Sequence, residues 1–153
     1  MGQIFPMAFC LLGGKTFALY KRLFELMKSA AWSHNFLLAP TFAMVDFELA
    51  SIKALKEVFP SIEVKGCYFH FVQSLVKKAR KLGLLRLSKR NPLVKLWLRR
   101  AAALPLVPEE SPYRDMANML IEQTVPQFAE AHRFFKYFEE TWMGQRMTPK
   151  YPM

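Results

Sequence analysis

The chain has 153 residues, 52% of them apolar, and carries 22 lysines and arginines against 12 aspartates and glutamates, for a formal charge of +10. That is enough apolar material for one packed domain and excludes a disordered polyelectrolyte, while the positive excess points to an anionic partner, nucleic acid ahead of a membrane surface. Two cysteines, Cys10 and Cys67, argue against a disulfide framework and fit a reducing compartment.

No apolar run reaches the roughly 18 residues of a membrane span, and "IFPMAFCLLGG" lacks the basic segment that precedes a secretory signal core. The opening "QIFPMAFCLL", residues 3–12, instead reads as a buried strand that stops at Gly13-Gly14. Tyr20, Leu23, Phe24, Met27 and Ala31 then recur at helical spacing, with Lys21, Arg22 and Lys28 largely on other faces. "TFAMVDF", bounded by Pro40, predicts a second strand with Asp46 at its end. Leu49, Ile52, Leu55 and Phe59 predict a helix closed by Pro60, and "IEVKGCYF" a third strand.

Strand, helix, strand, helix, strand is the pattern of parallel crossover units, so residues 1–71 read as an α/β core of about three strands. From Val72 the period changes. Val72, Leu75, Val76, Ala79 and Leu82 form one helical stripe, and Leu93, Leu96, Trp97 and Leu104 another. Two further helices are expected behind Pro112 and Pro126, the last presenting Phe128, Ala131, Phe135, Phe138 and Trp142 on one face. Residues 72–143 are thus an all-helical region, and 144–153 a loose tail.

Asp46 is the sharpest candidate for chemistry, because a carboxylate at the C-terminal end of a parallel strand sits where α/β folds gather ligands. Glu48 would face the same side if the strand persists through Phe47, and hard divalent cations use such oxygen ligands. The same residues also suit a helix start, with Asp46 as a cap and Glu48 in the first turn. Cys67 and His70 have the spacing of half a zinc site, with His34 and His132 isolated elsewhere; a buried cysteine and a helix-start histidine account for the pair as well. "GGKT", residues 13–16, matches the end of a phosphate-binding loop, but Phe9 stands where that loop requires glycine.

The remaining feature is basic. Lys77, Lys78, Arg80, Lys81, Arg86, Lys89, Arg90, Lys95, Arg99 and Arg100 occur with no acid among them. Lys77, Lys78 and Lys81 are expected to share the helical face opposite the apolar stripe, a surface that could hold phosphates without reading bases; a merely solvated face is the alternative.

Taken in order, "LLGGKTFALYKRLFELM", "VDFELASIKALKEVFP", "VKGCYFHFVQSLVKKARKLGL", "LPLVP" and "YFEETWMG" resemble the transposase domain of Mutator-like elements. The most specific part is Asp-Phe-Glu, a Phe-Pro break, and Gly-Cys-aromatic-Phe-His followed by Gln73. The resemblance implies a ribonuclease-H-like α/β fold with a helical insertion, nuclear localisation, and three acids binding two divalent metals, magnesium or manganese, for DNA cleavage and strand transfer. It makes Asp46 the second catalytic acid, and Cys67 and His70 the family's Cys/Asp-x-x-His motif.

The family's first aspartate, in an Asp-Gly-Thr-Phe-like segment, is expected ahead of residue 3, and its glutamate, in an Asn-x-x-Glu-like context, beyond Trp142. Glu122, Glu130, Glu139 and Glu140 do not stand in that context. The expectation is therefore an incomplete ribonuclease-H-like sheet, from a truncated or domesticated transposase, catalytically silent and binding no metal stably. Its expected partners are DNA, without sequence preference, and a full-length relative paired through the open edge of the strand at 3–12. No small-molecule substrate and no membrane are expected. The alternatives are an interaction module using the stripe from Phe128 to Trp142 and a metal-dependent nuclease completed by another subunit.

Overall fold

A computed structural model of the chain describes residue 6 and residues 8–143. These form an α/β arrangement that is mostly helical, divided into two compact units, Met1–Val64 and Lys65–Met153. The loose tail expected at 144–153 lies outside the described residues, as do residues 1–5 and 7 of the first expected strand.

The first unit holds α1 (Phe17–Ser33), β1 (Phe42–Val45), α2 (Leu49–Val58) and the start of β2 (Glu63–Gly66). Thr16, from the "GGKT" stretch, starts α1 by accepting a hydrogen bond from the Leu19 amide at 3.3 Å, which satisfies a donor that helix geometry leaves unpaired. The helix stops where Asn35 enters the left-handed region at φ 57° and the Phe36 amide returns to the Ala31 carbonyl. β1 and β2 pair in parallel across the α2 crossover. Alternation turns Ala43 and Val45 of β1 towards a core of Leu55, Val58, Phe59 and Ile62, while Phe42 and Met44 stay exposed on the other face. Phe24 closes the core from α1 at 6.4 Å from the Phe59 ring, and Lys28 donates to the Val58 carbonyl at 3.3 Å.

Three expectations fail here. Residues 8–12 are not a strand; Phe9 and Leu11 are almost fully exposed, and the sheet among the described residues has two strands, where about three were expected. β propensity is realised only through a paired ladder, and no described strand lies beside this segment. "IEVKGCYF" is extended only over Glu63–Gly66, because Tyr68 already belongs to a helix. In α2 and at its C-cap the expected Leu55 and Phe59 are buried, but Leu49 is 54% exposed and Ser51, Ala54 and Val58 share the core-facing side, so the stripe is rotated in part from the one expected.

The second unit holds α3 (Tyr68–Lys81), α4 (Leu84–Ser88), α5 (Pro92–Ala103), a 3-10 turn (Leu104–Leu106), α6 (Arg114–Gln123) and α7 (Ala129–Trp142). Its core is aromatic. Phe71 meets Trp142 edge to face at 4.9 Å, Trp97 meets Phe134 at 5.5 Å, and the Trp97 indole N–H donates to the Ile121 carbonyl at 2.9 Å. The buried faces are Phe71, Leu75 and Ala79 on α3 and Val94, Trp97 and Ala101 on α5, whereas Val76, Leu93 and Leu96, expected inside, are exposed. In α7 Phe134 replaces Phe135 on the buried face, and Phe128 lies outside it at 37% exposure.

Proline opens α5 rather than the two helices for which that role was expected. Pro92 is at its first position, behind Asn91, whose side-chain oxygen accepts from the Leu93 and Val94 amides at 2.9 and 3.3 Å. Pro112 and Pro126 sit in the turns before α6 and α7, which begin after Tyr113 and Phe128. Arg114 is buried, and its Nη1 donates to the carbonyls of Leu104 and Val107 at 2.9 and 2.7 Å, tying α6 to the end of α5. Burial pushes the Arg114 pKa below its ordinary value, against the pull of Glu109.

Gly83 joins α3 to α4 at φ 80°, a conformation that costs a side-chain-bearing residue energy even though an added Cβ meets nothing within 4 Å. Gly83→Ala should therefore lower stability by about 1–2 kcal/mol through backbone strain alone, measured as a shift in the urea midpoint at constant slope. An unchanged midpoint would show that the corner has another low-energy form.

Candidate functional site

The first group of candidate residues lies in the first unit, between β1 and α2. Asp46 follows the last residue of β1 and is exposed. It does not cap the helix; that position belongs to Glu48, whose backbone is extended (φ −81°, ψ 104°) and whose side chain makes no capping bond. The Glu48 carboxylate turns instead to α1 and the residues just before it, accepting a hydrogen bond from the Tyr20 hydroxyl at 3.1 Å and facing the Lys15 ammonium at 3.3 Å. Glu48 thus ties the start of α2 to α1.

Those contacts have electrostatic signatures. The Tyr20 phenol is pushed above its ordinary pKa by desolvation first and then by the hydrogen bond to Glu48, while the Lys15 ammonium is raised chiefly by its hydrogen bond to the same carboxylate. Asp46 adds a weaker pull in the same direction on both.

Cys67 and His70 belong to the second unit. Cys67 is half-buried at the N-cap of α3 without a side-chain capping bond, and His70 is exposed in the first turn, its ring edge-on to Phe69 at 5.6 Å. His34 closes α1 and His132 is exposed on α7. Of the acids in the helical region, Glu139 titrates above its ordinary range, through burial first and then repulsion from Glu122 and Glu140. Among the described residues no three His, Cys, Asp or Glu side chains gather into a group able to hold a metal ion. With Glu48 already engaged by Lys15 and Tyr20, the described donors do not fit a pair of divalent cations.

The basic residues, in contrast, share one unit. Lys77, Arg80 and Lys81 are exposed on α3, Arg86 on α4, Lys89 and Arg90 on the link to α5, and Lys95 and Arg99 on α5. Lys78 departs from the expected face: it is half-buried, with its ammonium 4.6 Å from the centre of the Tyr137 ring on α7, a cation–π contact that draws it out of the exposed group. Arg100 is half-buried beside Trp97 in a cavity wall. Sequence reasoning missed buried Arg114 altogether, because a single arginine between helices carries no local sign of burial. No helix among the described residues is long and apolar enough to cross a membrane.

The Tyr20–Glu48 contact is testable by titration. In Glu48→Gln the Tyr20 phenol should ionise at lower pH than in the parent, because an amide no longer repels the phenolate, while desolvation keeps some of the upward shift. NMR of ring-labelled tyrosine reads this directly, and an unmoved titration would mean that the hydroxyl does not face the carboxylate in solution.

Comparison with curated proteins and with solved structures returns no match to the chain. The family model for the MULE transposase domain matches residues 1–74, a stretch that holds Asp46, Glu48, Cys67, His70 and Gln73 and ends before the first residue of the basic group. The motifs quoted from the sequence thus fall where the model matches, and over residues 1–74, just under half of the chain, the protein is similar to part of a MULE transposase domain.

Proposed function

We propose that the chain is a transposase-derived protein that binds nucleic acid without sequence preference through α3, α4 and α5 and does not cleave it unaided. The observation that carries this reading is the exposed basic surface of the second unit, spread over three consecutive helices with no acid between Lys77 and Arg100. Phosphate binding needs cations on an ordered support and no base-edge code, and this surface offers both the cations and the support. The resemblance over residues 1–74 supports reading the first part as a ribonuclease-H-like core with a nuclear location and an ancestral metal-dependent strand transfer. Silence in catalysis rests on the donor set: Asp46 stands exposed while Glu48 is committed to Lys15 and Tyr20.

Binding of a labelled duplex should weaken steeply with salt, because each neutralised phosphate releases counterions. Replacing Lys81, Lys89 and Arg99 together by glutamine should lower affinity for unrelated duplexes alike and flatten the log–log salt dependence by roughly 1 per lost contact. Salt-insensitive binding would remove the reading. Supercoiled plasmid with magnesium or manganese should stay intact; nicking that disappears in Asp46→Ala would show instead that Asp46 works in a completed metal site.

A further inference from the structure

One partly exposed aromatic side chain of the second unit stands among arginines. Phe128, the N-cap residue of α7, is 37% exposed and forms the ridge between two concavities of the second unit. The larger, about 470 Å³, is lined by Leu93, Trp97, Val125 and Gln127 with Arg100 at its wall. The smaller, about 370 Å³, runs past Leu87 and carries Arg86 and Arg90. Its one acid, Glu130, is paired with Arg133 at 3.6 Å, which offsets its charge.

Resting on the nucleic-acid reading above, we infer that this ridge binds single-stranded nucleic acid, with an unpaired base stacked on Phe128 and the flanking phosphates held by Arg86 and Arg90 on one side and Arg100 on the other. The alternation of cation, ring and cation matches the alternation of phosphate, base and phosphate along a strand. All three lining cations are arginines, whose planar forks meet phosphate oxygens two at a time. A duplex fits this arrangement poorly, since its base faces are already stacked on one another and unavailable to a side chain. Stacking reads no sequence, because every base has a π face, so the ridge is compatible with the absence of base readout by the surrounding lysines. The helix-start contacts come from the Phe128 backbone, which accepts from the Ala131 and His132 amides at 3.0 and 3.2 Å, and the exposed part of the ring is what a base would meet.

Fluorescence anisotropy of the full chain with labelled oligothymidylate, and with a duplex of equal length, tests the inference. The single strand should bind more tightly, and Phe128→Leu, which keeps apolar bulk but loses the ring, should cost about tenfold in single-strand affinity while leaving duplex affinity and the salt slope unchanged; Phe128→Tyr should bind as the parent does. Near-ultraviolet crosslinking of a bromouracil-substituted strand to the unaltered chain gives a reading independent of any variant, with the adduct expected at Phe128. Equal single-strand affinity in Phe128→Leu, a crosslink confined to other residues, or equal competition by polyglutamate overturns the ridge. If strand and duplex both bind with steep salt dependence and Phe128→Leu changes neither, stacking falls and the phosphate surface stands; if neither binds, the nucleic-acid reading falls with it.

Discussion

The edge-to-face packing of Phe71 on Trp142 and of Trp97 on Phe134 holds the second unit together, since it is where α3 and α5 meet α7. Aromatic pairs in this geometry contribute roughly 0.5–1.5 kcal/mol beyond the area they bury. The consequence reaches the surface: because Phe71 and Trp97 point inward, the opposite faces of α3 and α5 must face solvent, and those faces carry Lys77, Lys81, Lys95 and Arg99. Charge of one sign can accumulate there because the aromatic core beneath does not depend on it. Lys78 is the exception, and its contact with the Tyr137 ring ties the charged helix back to α7.

The first unit is built more thinly. α1 has no buried residue, and its attachment to α2 relies on side chains that are partly exposed, including Lys21 paired with Glu57 and Lys28 lying over the Phe59 ring at 5.4 Å. Glu48 belongs to the same set. An acid three residues beyond the end of a parallel strand is well placed to ligate, yet here it bridges two elements, receiving the Tyr20 phenol from α1 and the Lys15 ammonium from the residues just ahead of that helix. Position alone therefore cannot distinguish a ligand from a tie; the partners Tyr20 and Lys15 decide it.

Much of the fold was legible in the sequence because helical and strand periods are local properties. Tyr20 to Ala31, "TFAMVDF" and Leu49 to Phe59 all lie in or beside the elements expected of them. The faces were harder to read. On α3, Phe71 and Val72 are adjacent and both apolar, and only the distant Phe138 and Trp142 select Phe71 for the core. On α5 the small Ala101 and the β-branched Val94 are buried while the larger Leu93 is exposed, an outcome governed by which helix packs alongside rather than by hydrophobicity. The segment at 8–12 shows the same limit in a strand, which requires a neighbour that its own residues cannot supply. Of the candidate residues, the basic group was readable as a run of like charges, whereas Phe128 was assigned to an internal stripe because spacing along α7 cannot show that the helix begins only after it.

The three tryptophans divide unevenly between the units: Trp32 is 72% exposed at the end of α1, while Trp97 and Trp142 are buried in the aromatic core. Emission from the chain is therefore a composite, with a red-shifted, quencher-accessible component from the first unit and a blue-shifted, shielded one from the second. Loss of the shielded component on heating marks collapse of the helical unit, and acrylamide suppresses the other while the molecule is still folded. The chain thus carries its own optical probe for whether its two halves melt together or apart.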